Sequence, residues 1–180
     1  MEKRLLRTSE LLGIPFIVFA GSLLHFTYQM SGGNPVVAVF SAVNESLWEH
    51  LKLAFWPATI LAAAQYFRLR KAYPALLLGK TVGILSMPLI IVAGFYGYTL
   101  FIPHNLAADI GLFIASVIAG QAISYRIISK TGGESPKAWH SATGLALVAM
   151  AALFAVFTFN PPQIELFRDP VTGGFGPHLH

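Results

Sequence analysis

The sequence predicts an all-α polytopic membrane helix bundle of five transmembrane helices, with the N-terminus cytoplasmic and the C-terminus outside. Three observations predict it. Of the 180 residues, 55% are hydrophobic and 11% charged, where a soluble domain carries about 25% charged residues. Five apolar runs approach or exceed the ~20 residues that a helix needs to cross a ~30 Å hydrocarbon core. The basic residues gather at alternate ends of those runs, as topology signals do.

Residues 1–10 carry Lys3, Arg4 and Arg7, and residues 11–28 form the first run. A basic start before an apolar core also suits a signal peptide. The run ends in His25, Tyr28 and Gln29 without a small-x-small cleavage pattern, which favours a first span starting inside. Ser31-Gly32-Gly33-Asn34-Pro35 reads as a turn, because glycine admits positive φ and proline stops a helix. Residues 35–43 are too few to cross and fit a re-entrant or interfacial segment. Residues 47–67 form the second span, closed by Arg68, Arg70 and Lys71.

After Pro74, residues 76–102 make a third span with Gly79, Gly83, Gly94 and Gly97, and Pro88 should kink it. Pro103-His104-Asn105 connects it to a fourth span over 106–128, which ends in Arg126 and Lys130. Ser135-Pro136 is a helix start, with serine as cap and proline in the first turn. The fifth span covers 138–159 and stops at Pro161-Pro162. The partition is a transmembrane domain over 1–160 and an extracytoplasmic tail over 161–180, a candidate lid.

With an inside start, Lys3, Arg4, Arg7, Arg68, Arg70, Lys71, Lys80, Arg126, Lys130 and Lys137 are cytoplasmic, while Lys52 and Arg168 are outside. That bias places the chain in the cell membrane as a multi-pass protein in contact with the lipid bilayer. It also removes the nucleic-acid reading that a net charge of +4 invites. The chain has no cysteine, which excludes thiolate nucleophiles, disulfides and Cys-ligated metal.

The topology brings polar residues to one face. Residues 41–52 hold two carboxylates, a histidine, an amide, two hydroxyls and a lysine, and charge beside a bilayer is costly enough to suggest a site or a helix cap. His25 lies near the outer end of the first span, His104 in an outer loop, and Asp109 one turn inside the fourth. Ser22, His25 and Gln29 share a helix face, as do Asn105, Asp109 and Ser116. If the helix is already regular at Glu45, then Glu45 and Glu49 project side by side. Such a pair requires a cation between them or a proton on one. A divalent metal such as zinc, with imidazole and carboxylate ligands, suits this group. The candidate metal ligands are His25, His50 and Asp109, the candidate catalytic carboxylates Glu45 and Glu49, and the candidate ligand-binding residues Asn44 and His104.

Structural explanations stand beside these with equal weight. Ser46-Leu47-Trp48-Glu49 is a capping box, and the free amides of a first turn need partners. Glu49 and Lys52 suit an ordinary i, i+3 pair. Trp48 and Trp56 suit interfacial aromatics. Asp109 suits a helix dipole, and the small residues of the last three spans suit packing positions. His140 falls at the opposite face, and the terminal His178 and His180 are a weak metal signal.

Gly32-Gly33-Asn34-Pro35, the run from Asn44 through Glu45, Ser46, Glu49 and His50 to Lys52, and Leu166-Phe167 with Asp169-Pro170 in the tail carry a resemblance. The chain resembles an uncharacterised family of small prokaryotic integral membrane proteins, a domain of unknown function with an Asn-Glu-Ser-x-x-Glu-His-Leu-Lys motif. The resemblance covers most of the chain and implies a multispan membrane protein without supplying an activity. By looser analogy the polar face is similar to that of seven-span hydrolases such as alkaline ceramidases, which hold zinc with three histidines and an aspartate. This chain has fewer spans and clusters its glutamates differently.

Two functions follow. One is a membrane-embedded metal-dependent hydrolase of a lipid or lipid-like substrate that reaches the site sideways. The other is a transport component or partner subunit, in which the polar face binds or gates. A transporter needs a polar route to the inner face, and the third and fifth spans supply few polar residues, which favours a one-sided site.

Overall fold

The structure, a computed structural model, describes residues 2–131 and 137–177, without the side chains of residues 2, 137, 138 and 140. The described residues form an all-helical bundle of five long helices and one short one. They are α1 (Glu2–Met30), the single-turn α2 (Pro35–Ala38), α3 (Leu47–Leu69), α4 (Leu76–Thr99), α5 (Leu106–Lys130) and α6 (Lys137–Phe159). A 3-10 turn, Glu165–Phe167, interrupts the tail. The apolar runs therefore become helices, with ends within a few residues of those expected. α1 is the exception: it starts at Glu2, because nothing between Glu2 and Leu11 breaks the helical pattern.

α1, α3, α4 and α5 close a ring of pairwise packings, α1 on α3, α3 on α4, α4 on α5 and α5 on α1, and α6 packs on α4. α4 and α5 approach closely because Gly79 and Gly83 are four residues apart. A Cβ at Gly83 would strike the Gly120 carbonyl, and one at Gly79 would strike Ile128. Small residues at this spacing let helix backbones meet. Helix α4 runs unbroken through Pro88.

α1, α4, α5 and α6 are long and apolar enough to cross a membrane. α3 is more polar, carrying Glu49, His50, Lys52, Gln65 and Arg68, and its position explains the difference. It is sunk in the bundle, with Trp48, Leu51, Ala54, Phe55, Ala58 and Ala62 all buried. Most side chains of its first half face protein, where Glu49 and Lys52 find partners, while Arg68 near its end is exposed.

Two expectations about charge change here. Lys80 is 3% exposed and sits 2.6 Å from the Glu10 carboxylate, so it is a bundle-interior residue and no topology signal. Lys52 is fully buried, not displayed at the outer surface. Trp48 likewise lies in the core, stacked among Phe154, Phe157 and Phe167.

A pinned loop carries Glu45 to a pair of histidines

The segment between α2 and α3 is held at every step. Ser41 Oγ donates to the Leu24 carbonyl and accepts from the Tyr28 amide, which ties the loop to the end of α1. Trp56 Nε1 donates to Val39 O at 3.0 Å, and Lys52 Nζ donates to Ala38 O at 2.8 Å. The Val43 amide donates to Glu49 at 3.0 Å. Asn44 accepts from the Ser46 amide and donates to Gly176 O, each at 2.9 Å. These contacts tie the loop to α1, α3 and the tail, and Glu45 is the acid it presents.

Helix α3 begins at Leu47 with Ser46 as its cap, and Ser46 Oγ accepts from the Glu49 amide. Glu45 is therefore outside the helix, and the two glutamates do not project side by side. They point to different places. Glu49 turns inward to Lys52 at 2.5 Å, and Lys52 also donates to Thr158 of α6 at 2.9 Å. The capping box is half formed, since the Ser46 amide is taken by Asn44 and not by Glu49.

Glu45 turns outward to two imidazoles. Its Oε2 lies 3.5 Å from His25 Nε2 and 3.5 Å from His50 Nε2, and the two Nε2 atoms are 3.2 Å apart. When protonated, His25 and then His50 hold the Glu45 carboxyl well below the usual carboxylate range. His50 Nδ1 is 2.8 Å from Ser46 O. A carbonyl only accepts, so Nδ1 carries the proton, and in neutral His50 the Nε2 lone pair faces His25 and Glu45.

This triangle has the dimensions of a metal site. Three atoms each 2.0–2.2 Å from a tetrahedral zinc stand about 3.3–3.6 Å from one another. The observed edges are 3.2, 3.5 and 3.5 Å. A backbone carbonyl on the far nitrogen of a ligating histidine is the usual orienting partner. Among the described residues, His25, Glu45 and His50 are the group that brings three such ligand atoms together.

The triangle opens on a cavity of about 610 Å³. α1, α4 and α5 supply its walls, including Val18, Phe26, Ile91, Phe95, Ile110 and Phe113. Glu165, Arg168 and Pro170 of the tail border it as well. Its lining carries three carboxylates (Glu45, Asp109, Glu165) and one guanidinium (Arg168), a formal charge of minus two with the imidazoles neutral.

The other candidate residues divide. Asp109 borders the same cavity but is not in the triangle. Its Oδ1 accepts from Tyr98 at 2.5 Å, and its Oδ2 is 2.6 Å from His104 Nε2. His104 is thus a partner of Asp109, and it is not among the residues lining the cavity. Glu49 and Asn44 do not line it either; one holds Lys52 and Val43, the other holds the tail. Both are committed to structure because each is surrounded by donors or acceptors from other elements. The side chain of His140, and His178 and His180, lie outside the described residues.

Two features were missed from sequence. Arg168 and Glu165 meet the cavity because Phe167 anchors the tail beneath them, stacked on Trp48 and Phe157. The apolar pair Leu166-Phe167 in an otherwise polar tail was the available signal. The second is the Glu10–Lys80 pair, joined by Ser124 Oγ at 3.4 Å from Glu10 and by Gln121, which donates to the Glu10 carbonyl. No local motif marks it, because its members come from three helices.

Residues 2–177 match a family of unknown function, DUF6512. The chain belongs to this family. Neither a similar curated protein nor a similar solved structure was found.

Proposed function

We propose that this DUF6512 member is a multi-pass membrane protein whose five long helices all cross the bilayer, and that it holds one divalent metal ion at its outer face as a hydrolase of a lipid-like substrate. His25 Nε2, His50 Nε2 and a Glu45 oxygen are the ligands. The observation that carries this reading is the triangle of 3.2, 3.5 and 3.5 Å edges, matched to zinc and facing a cavity with a formal charge of minus two.

Three protein ligands leave a fourth position open, the arrangement of catalytic rather than structural zinc. A divalent ion held by these three ligands would lower the pKa of a bound water to about 7. Asp109 borders the same cavity, oriented by Tyr98 and His104, and is the carboxylate we assign to take the proton. A metal held by these residues would supply an activated water and a Lewis acid for an ester or amide carbonyl, and Asp109 would return the water's proton to the leaving oxygen or nitrogen. Water is consumed, and an acid plus an alcohol or amine is released.

The transport alternative draws on the Glu10–Lys80 pair, which puts charge in the other half of the bundle. Along each helix of the ring, however, an apolar layer separates that pair from the cavity. Ile17, Ala58, Met87 and Val117 form it, all 2% exposed or less. This supports a one-sided site.

The test is elemental analysis of untagged protein beside His25→Ala and His50→Ala, followed by hydrolysis of a long-chain nitrophenyl ester with and without chelator. About one metal per wild-type chain, lost in both variants, with turnover that chelation abolishes, is the expected result. A metal-free wild type that folds normally at micromolar zinc overturns the reading. Metal without chelator-sensitive turnover removes the hydrolase and keeps the metal site.

A further inference from the structure

We infer that the cavity takes a single-chain amphiphile, with its chain between α1, α4 and α5 and its polar head at the Glu45 triangle. The polar and apolar parts of the lining are segregated. His25, Glu45, His50, Asp109, Glu165 and Arg168 sit where the loops and tail meet the helices. Val18, Ile91, Phe113 and Ile114 lie deeper, toward the middle of their helices. From Val18 to His25 is about 10 Å along α1 at ~1.5 Å per residue. A ligand that fills such a space is apolar at one end and polar at the other.

Volume decides the number of chains. At about 610 Å³ the cavity falls within the ~300–1,000 Å³ of sites that bury one drug-sized ligand. One chain of about sixteen carbons with a small head is a ligand of that class, and a two-chain lipid is about twice as large. The side toward lipid is open to a chain. Ser22 and Phe26 of α1 and Leu106 and Ile110 of α5 border the cavity and are all exposed. Arg168, at the head-group end, is held by its Nε to Gly173 O at 3.3 Å and only loosely to Glu165 at 3.8 Å. Its guanidinium retains donors for an oxygen-bearing head.

This inference rests on the metal-site reading only for which bond of the ligand lies at the reacting end. Chain binding itself needs no metal, so the two fail separately. The experiment is photo-crosslinking in vesicles with a diazirine-bearing lysophosphatidylcholine, beside a phosphatidylcholine carrying the same diazirine chain, so that head group is constant and chain number differs. The proteins are wild type, Ile110→Trp and Ser22→Trp, each with its metal content measured, and wild type treated with chelator. The one-chain probe should label residues 91–96 and 106–114, and unlabelled lysolipid should compete. Both tryptophans displace at least about two methylenes of chain, which lowers labelling about tenfold. The two positions lie on different helices, so one folded variant suffices. Wild type stripped of metal by chelator should be labelled like untreated wild type. The two-chain probe should mark only outward faces, such as Leu145 and Val148 of α6. Labelling by the one-chain probe that neither tryptophan reduces, or equal labelling of the cavity by the two-chain probe, overturns the inference. Cavity labelling in a metal-free wild type leaves the chain site standing and removes the metal reading.

Discussion

The Nε2 atoms of His25 and His50 stand 3.2 Å apart, on helices that the sequence separates by a turn, a short helix and a loop. Two imidazole nitrogens face one another at that distance when a proton or a cation lies between them. His50 has its proton committed to Ser46 O, so without a metal the shared proton belongs to His25.

The first prediction concerns pH. The Glu45 carboxyl is depressed by the two histidines, and a depressed acid contributes stability above its unfolded pKa, near ~4.3. That contribution is lost only as pH falls through the lower folded value. Glu45 is therefore ionised at every pH from about 5 upward, and metal release on acidification comes from protonation of the imidazoles, near ~6.5 in free histidine. Metal content followed by dialysis should be near one per chain at pH 8 and fall toward zero by about pH 5. In Glu45→Gln it should be lower at all of these pH values. A wild type that keeps its metal at pH 5 would count against imidazole ligation.

Lys52 and Glu49 support the second prediction. Lys52 is fully buried and Glu49 3% exposed, and their 2.5 Å contact also holds Ala38, Val43 and Thr158. Removing one member of a buried pair costs about 3–5 kcal/mol, because the other charge is stranded. Lys52→Met should lower the thermal unfolding midpoint sharply, and Glu49→Gln with Lys52→Met should recover much of the loss. Glu45 rides on the loop this pair fixes, so the single variant should also bind metal more weakly. Equal midpoints for the single and double variants would show that the pair is not coupled.

The fold was legible where periodicity and punctuation decide it. The apolar runs, Pro35, Pro74 and Pro161 fixed where helices begin and end, and the Gly79–Gly83 spacing marked a helix contact. The site was legible in part. His25, Glu45, His50 and Asp109 could be brought to one face by topology alone. Their pairing depended on where α3 starts: a helix from Glu45 puts both glutamates together, while a start at Leu47 sends Glu45 to the histidines and Glu49 to Lys52. Two residues of helix boundary are finer than sequence signals resolve. The roles of Asn44, Trp48 and Lys80 depend on partners more than thirty residues away, Gly176, Phe154 and Glu10, and no local pattern records them.

The tail gives the third prediction. Phe167 is 4% exposed and stacks on Trp48 and Phe157, and Asn44 bonds the Gly176 carbonyl. Asp169, fully buried, closes the intervening turn through Val171, Thr172 and Gly174. Phe167→Ala removes a buried aromatic, a change of about 3–5 kcal/mol where the site cannot collapse. The tail should come free before the bundle does. Limited proteolysis around residues 172–174 should quicken several-fold while the helical signal is unchanged. Unchanged cleavage would mean that the Asn44 and Asp169 contacts hold the tail without its aromatic anchor.

Asp109 and Glu45 are both carboxylates on one cavity, and the last prediction separates them. Glu45 has two imidazole nitrogens at 3.5 Å and an oxygen free to meet a metal. Asp109 has both oxygens engaged, one by Tyr98 at 2.5 Å and the other by His104 at 2.6 Å. An acid so engaged is oriented by its partners, and a metal would have to break one of those bonds to reach it. Asp109→Asn should therefore keep its full metal complement while losing most of any hydrolytic turnover, by about 10²–10⁴-fold for an acid–base group. Glu45→Ala should lose the metal itself. If Asp109→Asn instead empties the site and Glu45→Ala does not, then the metal sits between Asp109 and the histidines, and the Glu45 triangle is a hydrogen-bonded anchor for the loop.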